Sequence, residues 1–363
     1  MPLLPVHPAP HFQHRCSRIV ITLLLALAAA VLCWRWHVPL PWMIGPLLAT
    51  AALTMLGGPA ASYQPFRNAG QWAIGAALGL YFTPQVVQLV LGLWWAVVLG
   101  VLWALALAWG FEAFLYRVHH PPGPWHVAGL TRTTTYFASP IGAASEMTLM
   151  AERRGAQTEL VASCHSLRVL LVTLMIPFGL QWSGLHGLDT TLPSTREFSL
   201  SGLALLAAAT GAGCLTMRAL KRTNPWFLGA LLVAMVSTAN RIEFTAVPVW
   251  LTSAAQLVIG ISLGVRFTAE FVHLAPRWLA SVAFASVVMM GLSAGFAGLV
   301  AQFTHLHPAT LLLGMAPGGI TEMSITAKIL KLGVPMVAAF QVTRLAAVLA
   351  VTEPIFRWRY GAR

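Results

Sequence analysis

Long apolar runs alternate with short polar joints along almost the whole chain. The joints carry Pro, Gly or single charges, and most runs are long enough to span roughly 30 Å of hydrocarbon as helices. The pattern predicts an all-α integral membrane protein, a polytopic helical bundle. The predicted segments are residues 18–36, 39–57, 68–82, 86–111, 126–151, 157–181, 199–217, 224–240, 250–266, 277–303, 308–330 and 334–356.

The chain contains two copies of the same series of apolar segments. The motif Pro-Trp-x-x-Gly-x-Leu-Leu occupies residues 41–48 and again residues 225–232. Residues 71–83 and 256–268 are identical at seven of thirteen positions, and in each copy the glycines form a Gly-x-x-x-Gly face suited to close helix packing. Blocks that recur in the same order indicate a duplicated unit of six apolar segments.

A glutamate and an arginine recur in the same register. Glu146 and Glu322 each precede a methionine, and Arg168 and Arg344 each follow their glutamate by 22 residues. A long polar joint separates the two copies. The predicted organisation is a cytoplasmic tail at 1–17, a first membrane repeat at 18–182, a linker at 183–198, a second membrane repeat at 199–357 and a cytoplasmic tail at 358–363.

Composition places the chain in the membrane. It is 58% hydrophobic and 9% charged, against about 25% charged residues in soluble domains. Its formal charge of +12 reflects 22 Lys and Arg against 10 acids. These cations stand singly in short loops, which favours positive-inside topology over nucleic-acid binding.

The distribution of cations distinguishes models of the membrane topology. If all twelve segments cross, the Lys and Arg outside the spans show no bias. If segments 126–151 and 308–330 instead dip into the membrane and each returns to the side from which it entered, fourteen of these cations fall on one side and five on the other. The positive-inside rule then favours ten crossings with both termini cytoplasmic. Five crossings in each copy make the second repeat inverted relative to the first.

The two glutamates lie where membrane helices are interrupted. A charge in the middle of a bilayer is costly, so it persists when it is paired, protonated or facing water. Pro and Gly break the helix around each glutamate and free backbone groups that protein, water or ligand must satisfy. We predict a binding site for a solute or an ion at these breaks, while a structural carboxylate that caps a broken helix is the alternative. The residues of the predicted binding site are Ser139, Pro140, Gly142, Ser145 and Glu146 in the first copy, and Pro317, Gly318, Gly319, Thr321 and Glu322 in the second.

Arginine is the natural partner for such a carboxylate. Arg168 and Arg344 are predicted to pair with the glutamates or to bind a carboxylate of the solute. His165 and Gln341 occupy equivalent positions one turn earlier, and His165 either shuttles protons or is a satisfied core histidine. Arg132 belongs either to an anion-attracting vestibule or to an interfacial anchor.

Other chemistries have little support in the sequence. The four cysteines show no paired spacing, the histidines lack a carboxylate partner set, and there is no nucleotide-binding Gly-rich loop. We therefore expect no catalytic residue, no metal site and no cofactor.

The motifs together resemble a known family. The Pro-Trp-x-x-Gly-x-Leu-Leu blocks, the Gln-x-x-Ile-Gly-x-x-Leu-Gly helices and Pro-Gly-Gly-Ile-Thr-Glu-Met at 317–323 resemble the AbrB-type duplicated bacterial membrane proteins. The resemblance covers residues 36–357, and the first break departs from it with Pro140-Ile-Gly. Labels in this family include ammonia monooxygenase and regulator of gene expression.

We expect a secondary transporter in the bacterial inner membrane that moves a small organic, anionic solute together with H⁺ or Na⁺. A membrane sensor that influences gene expression through a partner on cytoplasmic loops is the alternative, and a membrane monooxygenase is a third hypothesis. The expected partners are the solute, the coupling ion, membrane lipid and a second copy of the chain in a homodimer, with no nucleic acid.

Overall fold

A computed structural model describes residues 12–185, 198–242, 244–269 and 276–361, and within these ranges it contains helices and loops but no strand. The predicted all-α class is confirmed. The helices up to the middle of the chain are α1 Phe12–Arg35, α2 Pro41–Met55, α3 Gln64–Gly79, α4 Pro84–Gly92, α5 Trp94–His119, α6 Arg132–Ala138, α7 Ala144–Arg153 and α8 Thr158–Trp182. Those that follow are α9 Leu200–Ala219, α10 Pro225–Ala239, α11 Val249–Gly264, α12 Pro276–Thr304, α13 Pro308–Met315, α14 Ile320–Ile329 and α15 Val334–Tyr360.

Several of these helices are suited to cross a membrane. Among the described residues, α1, α5, α8, α9, α12 and α15 are long and apolar enough to do so, which makes six. The pair α3 and α4, bent by 87°, raises the number to seven if it counts as one span. Helices α2, α10 and α11 are apolar but shorter. The chain is therefore a multi-pass membrane protein, and the count of ten crossings stays a prediction.

The helix boundaries differ from the predicted segments and ranges in three places. Segment 86–111 is divided, because α4 ends at Gly92 and α5 begins at Trp94. Helix α1 already begins at Phe12, inside the predicted N-terminal tail, and α15 continues to Tyr360, beyond the predicted end of the second repeat at 357. Residues 1–11, most of the predicted linker (186–197) and residues 362–363 lie outside the described residues.

Both predicted breaks are present. The first separates α6 from α7 at residues 139–143, and the second separates α13 from α14 at residues 316–319. Ala143, the residue before α7, has a left-handed backbone with φ 52°, and Gly142 has φ 109°. Such angles redirect the chain within two residues, which is why α6 and α7 cannot form one continuous helix.

The α6–α7 hairpin lies beside the N-terminal half of α8. The backbone N–H of Gln157 donates to Oγ1 of Thr134 (3.1 Å), and Sγ of Cys164 donates to the carbonyl of Ala138 (3.4 Å). Helix α6 therefore runs in the same direction as α8. Helix α7 returns from the break, and a short loop joins its end at Arg153 to the start of α8. Both open ends of this hairpin thus lie at the N-terminal end of α8.

The α13–α14 hairpin repeats this geometry on α15. The backbone N–H of Gly333 donates to Oγ1 of Thr310 (3.3 Å), and Nε2 of Gln341 donates to the carbonyl of Leu313 (2.7 Å). Helix α14 ends at Ile329, close in sequence to the start of α15. The open ends of the second hairpin therefore lie at the N-terminal end of α15.

The two hairpins open towards opposite ends of the molecule. Helices α8 and α15 are antiparallel, because the N-terminal end of α8 lies beside the C-terminal end of α15. Tyr136 Oη donates to the carbonyl of Thr352 (2.8 Å), and Arg154 forms an ion pair with Glu353. An inverted duplication would produce this arrangement, and the duplication itself stays a prediction from the sequence.

The helices pack in two bundles that each take equivalent elements from both halves of the chain. Helices α1–α3 and α9–α11 form one, which we call the paired bundle. Helices α5–α8 and α12–α15 form the other, the hairpin bundle. The bundles meet mainly where α3 contacts α14 and α15, and α4, which belongs to neither bundle, contacts α10 and α15 beside them. A buried apolar cluster continues across this boundary.

The predicted Gly-x-x-x-Gly faces are confirmed as close contacts within the paired bundle. A side chain at Gly75 of α3 would overlap the carbonyl of Phe227 in α10. A side chain at Gly260 of α11 would overlap the carbonyl of Met43 in α2. The glycines therefore let helices from opposite halves approach until backbone meets backbone.

One buried carboxylate was not recognised from the sequence. Glu112, near the end of α5, is 4% exposed, and it accepts hydrogen bonds from Arg359 (2.9 Å) and from Tyr360 Oη (2.6 Å). These contacts hold the end of α15 on α5. They also give a physical reason why α15 extends past residue 357.

We predict that Gly260→Ala destabilises the protein and Gly291→Ala does not. An added methyl at Gly260 would overlap the Met43 carbonyl, and such overpacking costs about 1–3 kcal/mol. Gly291, inside α12, has nothing within 4 Å of the added atom, so alanine there should be neutral or favour the helix. Thermal unfolding in detergent compares the two variants, and equal melting temperatures would contradict the prediction.

Candidate functional site

A cavity of about 320 Å³ lies between the two bundles, and both hairpin tips reach it. The hairpin bundle contributes the first turns of α7 and α14 and the middle of α8 and α15. The paired bundle contributes α3, the N-terminal end of α10 and Arg266, just after α11. We call it the central cavity.

Two half-helices begin at the central cavity. Helix α7 starts after Ala143 and helix α14 after Gly319, and neither residue before the helix supplies a side-chain cap. The first turn of an α-helix leaves backbone N–H groups without intrahelical partners and carries the positive end of the helix dipole. Two such starts at one cavity create a region that favours negative charge.

Arg168 closes the other side of the first break. Its terminal amino groups donate to the carbonyls of Ser139 (3.1 Å) and Pro140 (2.5 Å), which the end of α6 leaves without helical partners. One of them also donates to Nδ1 of His165 (2.8 Å). Since Nε2 of His165 faces the carbonyl of Phe137 (2.9 Å), the ring must carry its proton on Nε2. His165 is therefore a satisfied core histidine in this structure.

Arg344 does the same at the second break. It donates to the carbonyls of Ala316 (2.5 Å) and Gly318 (2.7 Å), and to Oε1 of Gln341 (2.5 Å). The amide nitrogen of Gln341 donates to Leu313, so this side chain makes the two contacts that His165 makes in the first half. An imidazole and a carboxamide are interchangeable here because each offers one donor and one acceptor at similar spacing.

The predicted pairing between these arginines and the glutamates is therefore wrong for this structure. Arg168 is 1% exposed and Arg344 is 3% exposed, and in the described part of the chain neither has a carboxylate at ion-pair distance. Freed carbonyls take that place, because the end of a broken helix offers them in a converging set. The Nε atom of each arginine is buried without a hydrogen-bond partner.

Most of the predicted site residues surround the central cavity. Those that line it are Gly142, Ser145, Glu146, His165, Arg168, Pro317, Gly318, Gly319, Thr321, Glu322, Gln341 and Arg344. Glu322 is 7% exposed, whereas Glu146 is only partly buried.

Three predicted residues lie elsewhere. Ser139 and Pro140 line a different cavity of about 350 Å³ beside Glu112, and they serve the site through their carbonyls. Arg132 is exposed at the start of α6, where its guanidinium stacks on Tyr116 at 4.5 Å. Arg132 therefore does not line the central cavity, and its role in an anchor or in a vestibule stays a prediction.

Sequence reasoning missed the contribution of the paired bundle. Gln64, Arg67, Asn68 and Gln71 of α3 all line the cavity. They recur at the three- and four-residue spacing that places side chains on one face of a helix, and this polar stripe was a usable signal. Arg266 gave no such signal, since it stands alone at the end of the predicted segment 250–266.

The described residues include no cluster of potential metal ligands. No group of three or more His, Cys, Asp or Glu side chains suited to hold a metal ion occurs among the residues that the structure describes.

Two opposed helical hairpins around a polar cavity define the class: a multi-pass helical membrane protein with paired broken helices. The chain belongs to the AbrB family, whose model, described as "Transition state regulatory protein AbrB", matches residues 42–360. This match confirms the family resemblance that the sequence motifs indicated.

Two relatives are similar over nearly the whole chain. "Uncharacterized protein YhjN" of Bacillus subtilis (strain 168) is 27% identical over 343 residues, covering 87% of this chain and 86% of the relative. "Putative regulator AbrB" of Escherichia coli (strain K12) is 25% identical over 347 residues, covering 93% of this chain and 94% of the relative. No solved structure matches the chain significantly.

We predict that Gln341→His is tolerated and Gln341→Leu is not. Histidine should restore the contacts with Arg344 and the Leu313 carbonyl, as His165 does in the first half, whereas leucine leaves buried groups unpaired at a cost of about 1–3 kcal/mol. The measurement is the melting temperature in detergent, with His165→Gln as the reciprocal variant. If the leucine variant is as stable as the histidine variant, Gln341 does not support Arg344.

Proposed function

We propose that the protein is a secondary transporter that moves a small organic anion across the bacterial inner membrane together with H⁺ or Na⁺. The observation that carries the proposal is the meeting of two hairpin tips, from opposite ends of the molecule, at one polar cavity. Broken helices whose N-termini face a site inside the membrane are a recurring feature of secondary transporters. The names of the relatives do not mention transport.

The charges of the central cavity support an anionic solute. Its lining contains four arginines and two glutamates, so with all six ionised it carries two net positive charges. The starts of α7 and α14 add partial positive charge without adding ionisable groups. An anion that enters exchanges its hydration for guanidinium and backbone N–H donors, and the arginine fork suits a carboxylate.

A second cavity suggests the route to the site. It has a volume of about 680 Å³, lies along α7 and the N-terminal part of α8, and shares Ala144, Ser145 and Arg266 with the central cavity. In the proposed orientation, with both termini in the cytoplasm, this end of α8 faces the cytoplasm. The solute would then reach the hairpin tips from the cytoplasmic side in this conformation.

The boundary between the bundles suits a change of access. Apolar side chains dominate it outside the cavity, and such surfaces can shift relative to one another without leaving polar groups unpaired. We propose that the hairpin bundle moves against the paired bundle and exposes the cavity to each side in turn.

Regulation of gene expression from the membrane is the second candidate, and it rests on the words "regulatory" and "regulator" in the names of the family and of one relative. It requires a partner on the cytoplasmic loops, and we expect that partner at residues 117–124 or 218–222. Charge reversal in those loops should abolish regulation while Glu322→Gln leaves it intact. The opposite pattern would favour transport.

We expect Glu322→Gln to abolish gradient-driven uptake into proteoliposomes while the protein still inserts and folds. The amide keeps the size of the side chain but cannot take up a proton or balance a cation. Candidate solutes are a panel of small carboxylates, each tested with and without imposed pH and Na⁺ gradients. Glu152→Gln, at an exposed position on α7 of the other hairpin, is the control. Normal uptake by Glu322→Gln would remove this carboxylate from the coupling step.

Arg67→Gln should weaken the binding of the transported anion by about tenfold or more. A hydrogen bond to a charged group contributes about 1.5–3 kcal/mol, and 1.4 kcal/mol corresponds to a factor of ten. The measurement is the solute concentration that gives half-maximal uptake. Arg241→Gln removes the same charge from an exposed position beyond α10 and should leave that concentration unchanged. Equal effects of both variants would mean that only overall charge matters.

A further inference from the structure

The carboxylate of Glu322 occupies the start of its own helix. Glu322 is the third residue of α14, and the helix begins after Gly319. A Cβ built on Gly319 would overlap Oε2 of Glu322 and lie 2.9 Å from its Cδ. The three atoms nearest to that Cβ all belong to this one carboxyl group. Gly319 therefore lacks a side chain at the place where the carboxylate sits.

The first hairpin lacks this arrangement. Glu146 is likewise the third residue of α7, but the helix begins after Ala143, which carries a methyl group. Glu146 is partly exposed, whereas Glu322 is buried. The start of α14 thus holds an anion that belongs to the protein, and the start of α7 does not hold one as closely.

Charged groups face Glu322 from most elements packed around it. Helix α13 (Pro308–Met315) contributes no ionisable side chain. A second carboxylate lies across the cavity on α7. The groups are Arg67 on α3, Arg168 on α8, Arg266 after α11, Arg344 on α15 and Glu146 on α7.

Two buried donors at the cavity have no partner. The Nε atoms of Arg168 and Arg344 are unpaired, although both side chains are more than nine-tenths buried. A buried N–H without a partner costs free energy. The lining of the cavity also contains four arginines against two glutamates, and this excess of positive charge favours an anion beyond the two carboxylates that it already contains.

We propose that Glu322 is a resident anion that competes with the transported anion for the start of α14. The carboxylate of the solute takes this place when Glu322 takes up one proton from water on its carboxyl oxygen and turns away from Gly319. No other bond forms or breaks. The inference rests on the proposed function and deepens it, since it names H⁺ as the coupling ion and Glu322, rather than Glu146, as its carrier.

Gly319→Ala provides a direct test. Its backbone angles, φ −83° and ψ 151°, suit alanine, and the overlap involves only the flexible end of Glu322, so the variant should fold. The methyl group should displace the carboxylate without changing its chemistry. Glu322→Gln removes the charge instead and provides an independent variant.

The experiment measures binding of acetate to purified protein by its tryptophan fluorescence between about pH 6 and 8, where free carboxylates are ionised. In the wild type, uptake of one proton with each anion should weaken the apparent affinity about tenfold for each pH unit. Gly319→Ala and Glu322→Gln should bind acetate with little pH dependence. Glu146→Gln and Glu152→Gln should keep the wild-type slope.

Three results would overturn the displacement proposal: no acetate binding by the wild type, binding that does not depend on pH, or a wild-type slope in Glu322→Gln. Uptake in proteoliposomes separates this inference from the proposed function. If the protein takes up a carboxylate but its acetate binding does not depend on pH, transport is supported and the displacement step is contradicted. If acetate binding has the predicted pH slope but no carboxylate in the panel is taken up, the displacement step is supported and transport is contradicted.

Discussion

The structure depends on how a helix can end inside a membrane. In hydrocarbon there is no water to satisfy the backbone groups that a break sets free, so protein atoms must do so. At the carbonyl end of each break, the guanidinium of Arg168 or Arg344 takes that role, supported by His165 or Gln341. A guanidinium is well suited, because its planar fork supplies several donors in a fixed geometry and keeps its charge.

The N–H end of each break is treated differently, and this difference creates the site. The residue before α7 and the residue before α14 supply no side-chain cap, and both starts face the central cavity. One end of each break is therefore fixed by an arginine, whereas the other faces water, a ligand or, at α14, the carboxylate of Glu322. Because the hairpins enter from opposite ends, the two open starts converge between the bundles. The close Gly contacts of the paired bundle stabilise the wall opposite them.

Much of this architecture could be predicted from the sequence, because it follows from local rules. Apolar runs identify membrane helices, Pro and Gly identify the breaks, and glycine spacing identifies close helix packing. The partners of Arg168 and Arg344 could not be predicted, since a carbonyl carries no signature in a sequence and a carboxylate nearby is the obvious candidate. Arg67 and Arg266 stand at the edges of predicted segments, and only the packing of the two bundles brings both to the central cavity. Crossing number likewise depends on helix tilt and depth, which the charge distribution constrains only indirectly.

The departure of the first break from Pro-Gly-Gly has a structural interpretation. Counted back from the glutamates, Gly142 corresponds to Gly318 and Ala143 corresponds to Gly319, while the prolines are displaced by one position. The arginine clamps of the two halves are nearly identical in their contacts, so the difference between the halves is concentrated at the residue before the half-helix. The glycine before α14 leaves the space in which the Glu322 carboxylate lies, whereas an alanine stands before α7 and Glu146 is partly exposed. Two copies with the same clamp therefore differ at the helix start, and only the start of α14 lies against a glutamate at a glycine without a side chain.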